Sequence, residues 1–205
     1  MTKFIFDLDG TITSAETLPI IANNFGVHRE LSQLTKDTVN GKIPWKKSFI
    51  RRVGLLKHIP VREINVLLED TPLYEKIVKF ITENSQDCRI ATGNLDCWVD
   101  GLCKRIDCQY YSSKATVVDN EIVGISKIID KAAVVEELQE LGDKVVFIGD
   151  SNNDVMAMRR ADISIAFGAS HEPSKFCLDA ADVVVYTEDE LIEVLLSIKN
   201  NTYMV

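Results

Sequence analysis

Two carboxylates one residue apart, Asp7 and Asp9, close the apolar run Phe4-Ile5-Phe6 and lead into Gly10 and Thr11. A short apolar run bounded by glycine reads as a buried strand. Like charges so close together are costly unless a cation or a shared proton offsets them. Taken alone, the stretch also fits a turn or helix cap built from Asp and Gly. Two further strand ends change the balance. Cys88-Arg89-Ile90-Ala91 runs into Thr92-Gly93-Asn94, and Lys144 to Ile148 runs into Gly149-Asp150-Ser151-Asn152-Asn153-Asp154. Lys131 opens the helix that leads into the latter strand. Gathered at one edge, this set suits phosphoryl transfer. Carboxylates hold a hard divalent ion such as Mg²⁺. The ion and a lysine neutralise phosphoryl oxygens. One aspartate can attack phosphorus and form an aspartyl-phosphate. A second acid can protonate the leaving oxygen and then activate water.

The elements that must position these residues follow from periodicity. Residues 16 to 70 read as four helices with no strand among them: Glu16 to Phe25, Leu31 to Val39 with a stop at Asn40-Gly41, Trp45 to Leu56, and one opened by Pro60. From Pro72 helices and strands alternate. Leu73 to Asn84, Leu95 to Arg105, Lys131 to Leu141, Val155 to Ala161 and Glu188 to Lys199 are expected helices. Ile163 to Phe167 and Val183 to Tyr186 are expected strands. Residues 108 to 125 read as a hairpin turning at Asp119-Asn120. Asn200 to Val205 is expected to be a loosely held tail. The pattern predicts an α/β fold: a Rossmann-like parallel sheet with helices on both faces, plus a small helical cap inserted after the first strand. The expected division is a catalytic core of residues 1–13 and 73–205, and a cap of residues 14–72. In such sheets ligands sit beyond the carboxyl ends of the strands.

Composition narrows the partners. With 205 residues, 46% of them hydrophobic, the chain can bury a proper core. A net charge of −8 argues against nucleic acid, whose backbone selects basic surfaces. It leaves room for a small anionic substrate at a local cation site. No apolar run is long enough to span a bilayer. The first residues already form the strand, so no secretory leader is expected. Five cysteines with no CxxC pair suit reduced thiols in the cytoplasm. His28, His58 and His171 show no metal-ligand spacing to one another, and Cys97 and Cys103 read as core thiols.

DLDGT (Asp7 to Thr11), Thr92, Lys131 and GDSNND (Gly149 to Asp154) occur in order across nearly the whole chain. The set resembles the four motifs of haloacid dehalogenase superfamily phosphatases. The resemblance implies Asp7 as nucleophile and metal ligand, and Asp9 as general acid/base with its carbonyl on the metal. It implies Thr92, the Gly93 amide, Lys131 and Asn153 as phosphate binders. Asp150 would ligate Mg²⁺, with Asp154 supporting the metal from behind. Within the insert, SAETLPIIA, TKDTVNGKIPW and KSFIRRVGLLKHIP are similar to the cap of phosphoserine phosphatases. By that likeness Glu16 would pair with a substrate ammonium and Arg52 with a substrate carboxylate. A zwitterion needs one fixed anion and one fixed cation, and arginine grips a carboxylate with two parallel hydrogen bonds. The plain alternatives are a first-turn helix acid for Glu16 and a solvated charge for Arg52. Lys42 to Arg62 carries seven Lys or Arg and no acid, so a basic face alone accounts for an arginine there.

The chain departs from the family at Asn94, where a second glycine is common, and at Ser151 and Asn152, where smaller residues are common. Val39 and Trp45 alter the apolar contacts of the cap, and Lys127 is a second candidate for the lysine. The expectation is a cytoplasmic, Mg²⁺-dependent phosphomonoesterase for a small metabolite, O-phospho-L-serine first, as monomer or homodimer. Another phosphorylated amino compound, a phosphosugar, phosphoryl transfer to an alcohol and a non-catalytic binding module remain the rivals.

Overall fold

The computed structural model describes residues 1–39 and 42–203. The expected helix stop at Asn40-Gly41 and the last two residues of the tail lie outside them, as does the side chain of Val39. Seven strands form one sheet: β1 (Thr2–Phe6), β2 (Cys88–Leu95), β3 (Tyr110–Val118), β4 (Glu121–Lys127), β5 (Lys144–Gly149), β6 (Ile163–Phe167) and β7 (Val183–Val185). Their order is β4-β3-β2-β1-β5-β6-β7. All neighbours are parallel except the β3–β4 hairpin.

β1 is central, and its Phe4-Ile5-Phe6 stretch is apolar and buried. Phe4 and Phe6 join one buried cluster and Ile5 the other. β5 alternates the same way, with Val146 and Ile148 on the first face and Val145 and Phe147 on the second. Period-two alternation with both faces covered is how a parallel sheet reads. The first face is covered by α5 (Glu75–Glu83), α6 (Asp96–Ile106) and α10 (Glu188–Lys199); the second by α7 (Lys131–Glu140), α8 (Val155–Arg160) and α9 (Lys175–Leu178).

Four helices separate β1 from α5: α1 (Thr17–Phe25), α2 (His28–Val39), α3 (Trp45–Leu56) and α4 (Val61–Glu69). α4 packs on α6, and α1 packs on both α2 and α4. The hairpin also reaches this group. Asp119 and Asn120 both have positive φ (49° and 67°), the conformation that the tightest hairpin turn demands. The Asn120 carbonyl accepts the Val61 N–H (2.8 Å) and its Oδ1 accepts the Arg62 N–H (3.0 Å). Pro60 gives α4 no side-chain cap, so the hairpin satisfies donors that the helix start leaves open. The Ile122 N–H meets the Lys57 carbonyl at the end of α3 (3.3 Å).

One expectation shifts, and one element adds to the pattern. α9 is a four-residue helix too short to show a period. The segment from Asn200 is tied down rather than loose, with Thr202 and Tyr203 N–H groups on the Ser197 carbonyl (2.9 and 3.2 Å).

Candidate active site

The strand order sets β2, β1 and β5 side by side, so Thr92, Asp7 and Asp150 leave one edge together. Lys131 ties Asp7 to Asp154 at this edge. Its Nζ lies 2.6 Å from Asp7 Oδ1 and 2.6 Å from Asp154 Oδ1, with all three side chains buried. Asp130 holds the lysine in place by capping α7: its Oδ1 accepts the Ala132 and Ala133 N–H groups. Lys127, the rival lysine, is exposed at the end of β4. Burial works against a charged Lys131, and the Asp154 and Asp7 carboxylates more than offset it, so its pKa is raised. Burial, with the Asp154 charge, pushes Asp7 well above the usual carboxylate range, against the pull of Lys131.

Asp154 is saturated with partners. Its Oδ2 accepts the Asp150 and Ser151 N–H groups (3.3 and 3.0 Å). The Ser151 hydroxyl sits between this oxygen (3.1 Å) and Asn153 Oδ1. Asp150 is the opposite case. Both its carboxylate oxygens are buried: Oδ1 accepts no hydrogen bond among the described residues, and Oδ2 faces only the half-exposed His171, whose Nε2 stands 3.0 Å away. A buried carboxylate without partners is expensive unless a cation compensates it. Burial raises its pKa accordingly, with the nearby His171 opposing. Carboxylate oxygens of Asp7, Asp150 and Asp154 lie within 4.8 Å of one another. An orphaned, buried Oδ1 beside such a group fits a hard divalent ion like Mg²⁺.

Asp9 is partly buried, and both its oxygens are held. Oδ1 accepts the Thr17 N–H (2.8 Å) at the start of α1, and Oδ2 accepts the Asn94 Nδ2–H (2.6 Å). Burial raises its pKa, and the Thr17 and Asn94 hydrogen bonds oppose that. Asn94 also reaches Thr17 Oγ1 (3.1 Å). Its side chain therefore ties the second acid down instead of simply filling pocket space. Thr92 is fully buried, and its Oγ1 accepts the Asn94 N–H (3.2 Å). At Gly93 a Cβ would stand 2.6 Å from the Trp45 ring and 3.4 Å from Asn153 Nδ2. Only glycine admits so close an approach. Trp45, stacked on Phe49 (5.3 Å, 9°), thus brings the insert directly over the expected phosphate position, with Asn153 beside it.

Glu16 and Arg52 lie on the insert side. Glu16 precedes α1 and makes no side-chain cap bond, so the helix-acid alternative finds no support. Burial, then the Asp9 and Asp150 charges, push its carboxyl up to about 8, against His171 and Arg52. Arg52 is buried, not solvated. One guanidinium nitrogen donates to Thr35 Oγ1 (3.2 Å), and Nε has no partner among the described residues. Burial lowers its pKa, which Glu16 and Asp9 oppose.

A histidine without metal-ligand spacing in the sequence also reaches this site. His171 brings Nε2 to 3.0 Å from Asp150 Oδ2 and Nδ1 to 3.9 Å from Glu16 Oε1. Its partners lie far away in the chain, so no short motif announces it. The available signal was positional: it follows β6, the next parallel strand of the same edge.

Parallel sheet, strand-end aspartates and buried lysine together define a class. A family model of haloacid dehalogenase-like hydrolases matches residues 2–162, and the chain belongs to that family. Among its relatives is the phosphoserine phosphatase of Methanocaldococcus jannaschii, 25% identical over 195 residues, covering 87% of this chain and 92% of that one. The phosphoserine phosphatase of Archaeoglobus fulgidus is 30% identical over 178 residues, covering 80% of this chain and 52% of that longer protein. A solved phospho-aspartyl intermediate analogue of phosphoserine phosphatase shares the fold, with a TM-score of 0.78 and 24% identity over 95% of this chain and 98% of that one.

Proposed function

We propose that this chain is a Mg²⁺-dependent phosphomonoester hydrolase that works through an aspartyl-phosphate on Asp7, with O-phospho-L-serine as substrate. In this reading residues 14–72 act as a cap over a core of residues 1–13 and 73–205. The observation that carries it is Lys131, buried between Asp7 and Asp154 at 2.6 Å from each, beside the buried carboxylate of Asp150.

The Asp7 and Asp150 carboxylates and the Asp9 carbonyl would hold the metal. Bound there, Mg²⁺ supplies neutralisation of the phosphoryl oxygens. Thr92, the Gly93 N–H, Lys131 and Asn153 hold the same oxygens, and Asp154 keeps Lys131 in place. The free Asp7 oxygen attacks phosphorus. The bond from phosphorus to the serine oxygen breaks as Asp9 gives that oxygen its proton. Burial raises the Asp9 pKa, which keeps the proton available. In the second half Asp9 takes a proton from water, and the water oxygen displaces Asp7 from phosphorus. Phosphate leaves and both acids return to their starting states.

For the substrate, Glu16 takes the ammonium and Arg52 the carboxylate. A buried guanidinium with an open Nε beside a carboxyl ringed by acids suits a zwitterion. The names of the archaeal relatives support the same choice. All these residues come from one chain, so a monomer suffices. Five free cysteines suit the cytoplasm, and no helix among the described residues is long and apolar enough to cross a membrane.

Phosphate release tests this directly, using O-phospho-L-serine, other phosphorylated amino compounds, phosphosugars and p-nitrophenyl phosphate, each with Mg²⁺ or with chelator. Turnover of phosphoserine above the others, lost on chelation, is expected. No turnover of any ester with any metal would leave a binding module. Preference for another ester would end the phosphoserine assignment, and phosphoryl transfer to added alcohols would replace hydrolase by transferase.

A further inference from the structure

In the scheme above Asp9 gives a proton to one oxygen and takes one from another, so its carboxylate must be aimed. Two elements aim it. Thr17, at the start of α1, donates its backbone N–H to Oδ1 (2.8 Å), and Asn94, near the end of β2, donates from Nδ2 to Oδ2 (2.6 Å). The same Nδ2 also donates to Thr17 Oγ1 (3.1 Å), so one amide joins the acid to the helix that holds it. Asn94 is itself fixed. Its side chain is buried, and its backbone N–H donates to Thr92 Oγ1 (3.2 Å). The β2–β3 ladder shifts register between Thr92 and Leu95. The Ser113 hydroxyl pins this irregular stretch, donating to the Gly93 carbonyl (2.9 Å) and accepting the Ile129 N–H (3.2 Å). An irregularity of this kind re-aims a side chain, and such features gather beside active sites.

We propose, on the phosphomonoesterase reading of the site with Asp9 as its acid and base, that Asn94 is a positioning residue for the reaction. Its amide locks the Asp9 carboxylate in the orientation that serves first the leaving oxygen and then the attacking water. A carboxylate turns readily about its terminal carbon–carbon bond, so a grip on Oδ1 alone leaves Oδ2 free to swing. The Asn94 bond removes that freedom. Each carboxylate oxygen has two lone pairs, so the two hydrogen bonds still leave a place for the proton in transit. That proton passes from Asp9 to the ester oxygen as the bond from this oxygen to phosphorus breaks. In the second half water returns a proton to Asp9 while its oxygen bonds phosphorus and the bond from Asp7 to phosphorus breaks. Both transfers need heavy atoms within hydrogen-bond reach, and a misplacement of about 1 Å can cost roughly 100-fold. The glycine common here in the family offers no such donor; in this chain the asparagine supplies it. Esters differ in how much they need it. The serine oxygen must be protonated to leave, whereas p-nitrophenolate leaves as a stable anion. For the latter ester only the second half calls on Asp9.

The test uses the full chain with Mg²⁺, O-phospho-L-serine in the steady state, and p-nitrophenyl phosphate in the first turnover and after it. The variants are Asn94→Leu, similar in size but without the donor, and Asn94→Gly, which the strand accepts and which leaves no bulk to misfit. A thermal melt checks folding. Both variants should lose kcat on phosphoserine by about 10–100-fold, with KM little changed. Both should release the first equivalent of p-nitrophenolate at the wild-type rate and then slow by a similar factor, so that a burst precedes the steady state. A first turnover slowed as much as the later ones would mean that the side chain only supports the shape of the site. Wild-type kcat on phosphoserine in Asn94→Gly would mean that Asp9 stands correctly without the amide. Either result ends this inference and leaves the phosphomonoesterase reading intact. If wild type turns over neither ester, both readings fall together.

Discussion

Two groups of charged side chains meet at the site, one at the strand ends and one on the insert, and they differ in how completely they are partnered. At the strand ends Asp7, Lys131 and Asp154 are buried and locked at 2.6 Å. On the insert, Arg52 keeps an Nε with no partner among the described residues, and Glu16 finds its ion-pair partner, His171, only at 3.9 Å. The first group is arranged before any ligand arrives, which is what stabilising a transition state requires. The second retains hydrogen-bonding capacity that a ligand can fill. Chemistry and recognition are therefore separable by mutation, and three substitutions and one titration probe the division.

The largest effect belongs to Asp7→Asn. It removes the attacking oxygen while keeping the shape, and turnover should fall by roughly 10⁴-fold or more. Folding should persist, since the amide still fits beside Lys131. Retained activity by phosphate release would mean that another residue attacks phosphorus.

Next is Lys131→Ala, which leaves the Asp7 and Asp154 carboxylates facing each other in a buried site. Breaking a buried charge pair from one side costs about 3–5 kcal/mol. Urea unfolding should show a loss of that order in metal-free protein, together with loss of turnover. A variant as stable as wild type would show that the cluster is not a structural keystone.

Arg52→Ala should do the reverse. Its guanidinium holds one hydrogen bond, so stability should change by only about 0.5–1.5 kcal/mol. A charged hydrogen bond to ligand is worth about 1.5–3 kcal/mol, so KM for phosphoserine should rise by roughly 10–100-fold. Turnover of p-nitrophenyl phosphate should hardly move. Equal losses on both substrates would erase the division between the two groups.

How much of this was legible from residues alone follows the same line. A parallel sheet forces its strand ends to one edge, so Asp7, Thr92 and Asp150 announced themselves as neighbours once β1, β2 and β5 were read as strands. The turn at Asp119-Asn120 was visible because few residues tolerate positive φ. That the same Asn120 would cap α4 was not, since nothing in the chain links it to Val61. Asn94 stands where the family has a second glycine, and its bond to Asp9 spans a sequence distance that no local pattern records. His171 failed the spacing test because that test compares histidines with histidines, whereas its neighbours are carboxylates from two other loops.

The smallest effect is a pH dependence at Glu16. Its carboxyl stands at about 8 in the folded, metal-free chain, against 4.5 as an ordinary glutamate. Burial is the main cause, then the Asp9 and Asp150 charges. A raised folded value means that the folded chain holds this proton more tightly than the unfolded one. The corresponding stabilisation is complete below pH 4.5 and is lost as pH climbs through about 8. The melting temperature of metal-free protein should therefore decline across that window. Asp7, Asp9 and Asp150, raised by burial as well, push in the same direction. Glu16→Gln should flatten only part of the decline, because the Glu16 side chain is 44% exposed and water screens it. Identical melting curves for wild type and Glu16→Gln over this range would mean that Glu16 sits among no such anions. The recognition group would then have to be redrawn around Arg52 alone.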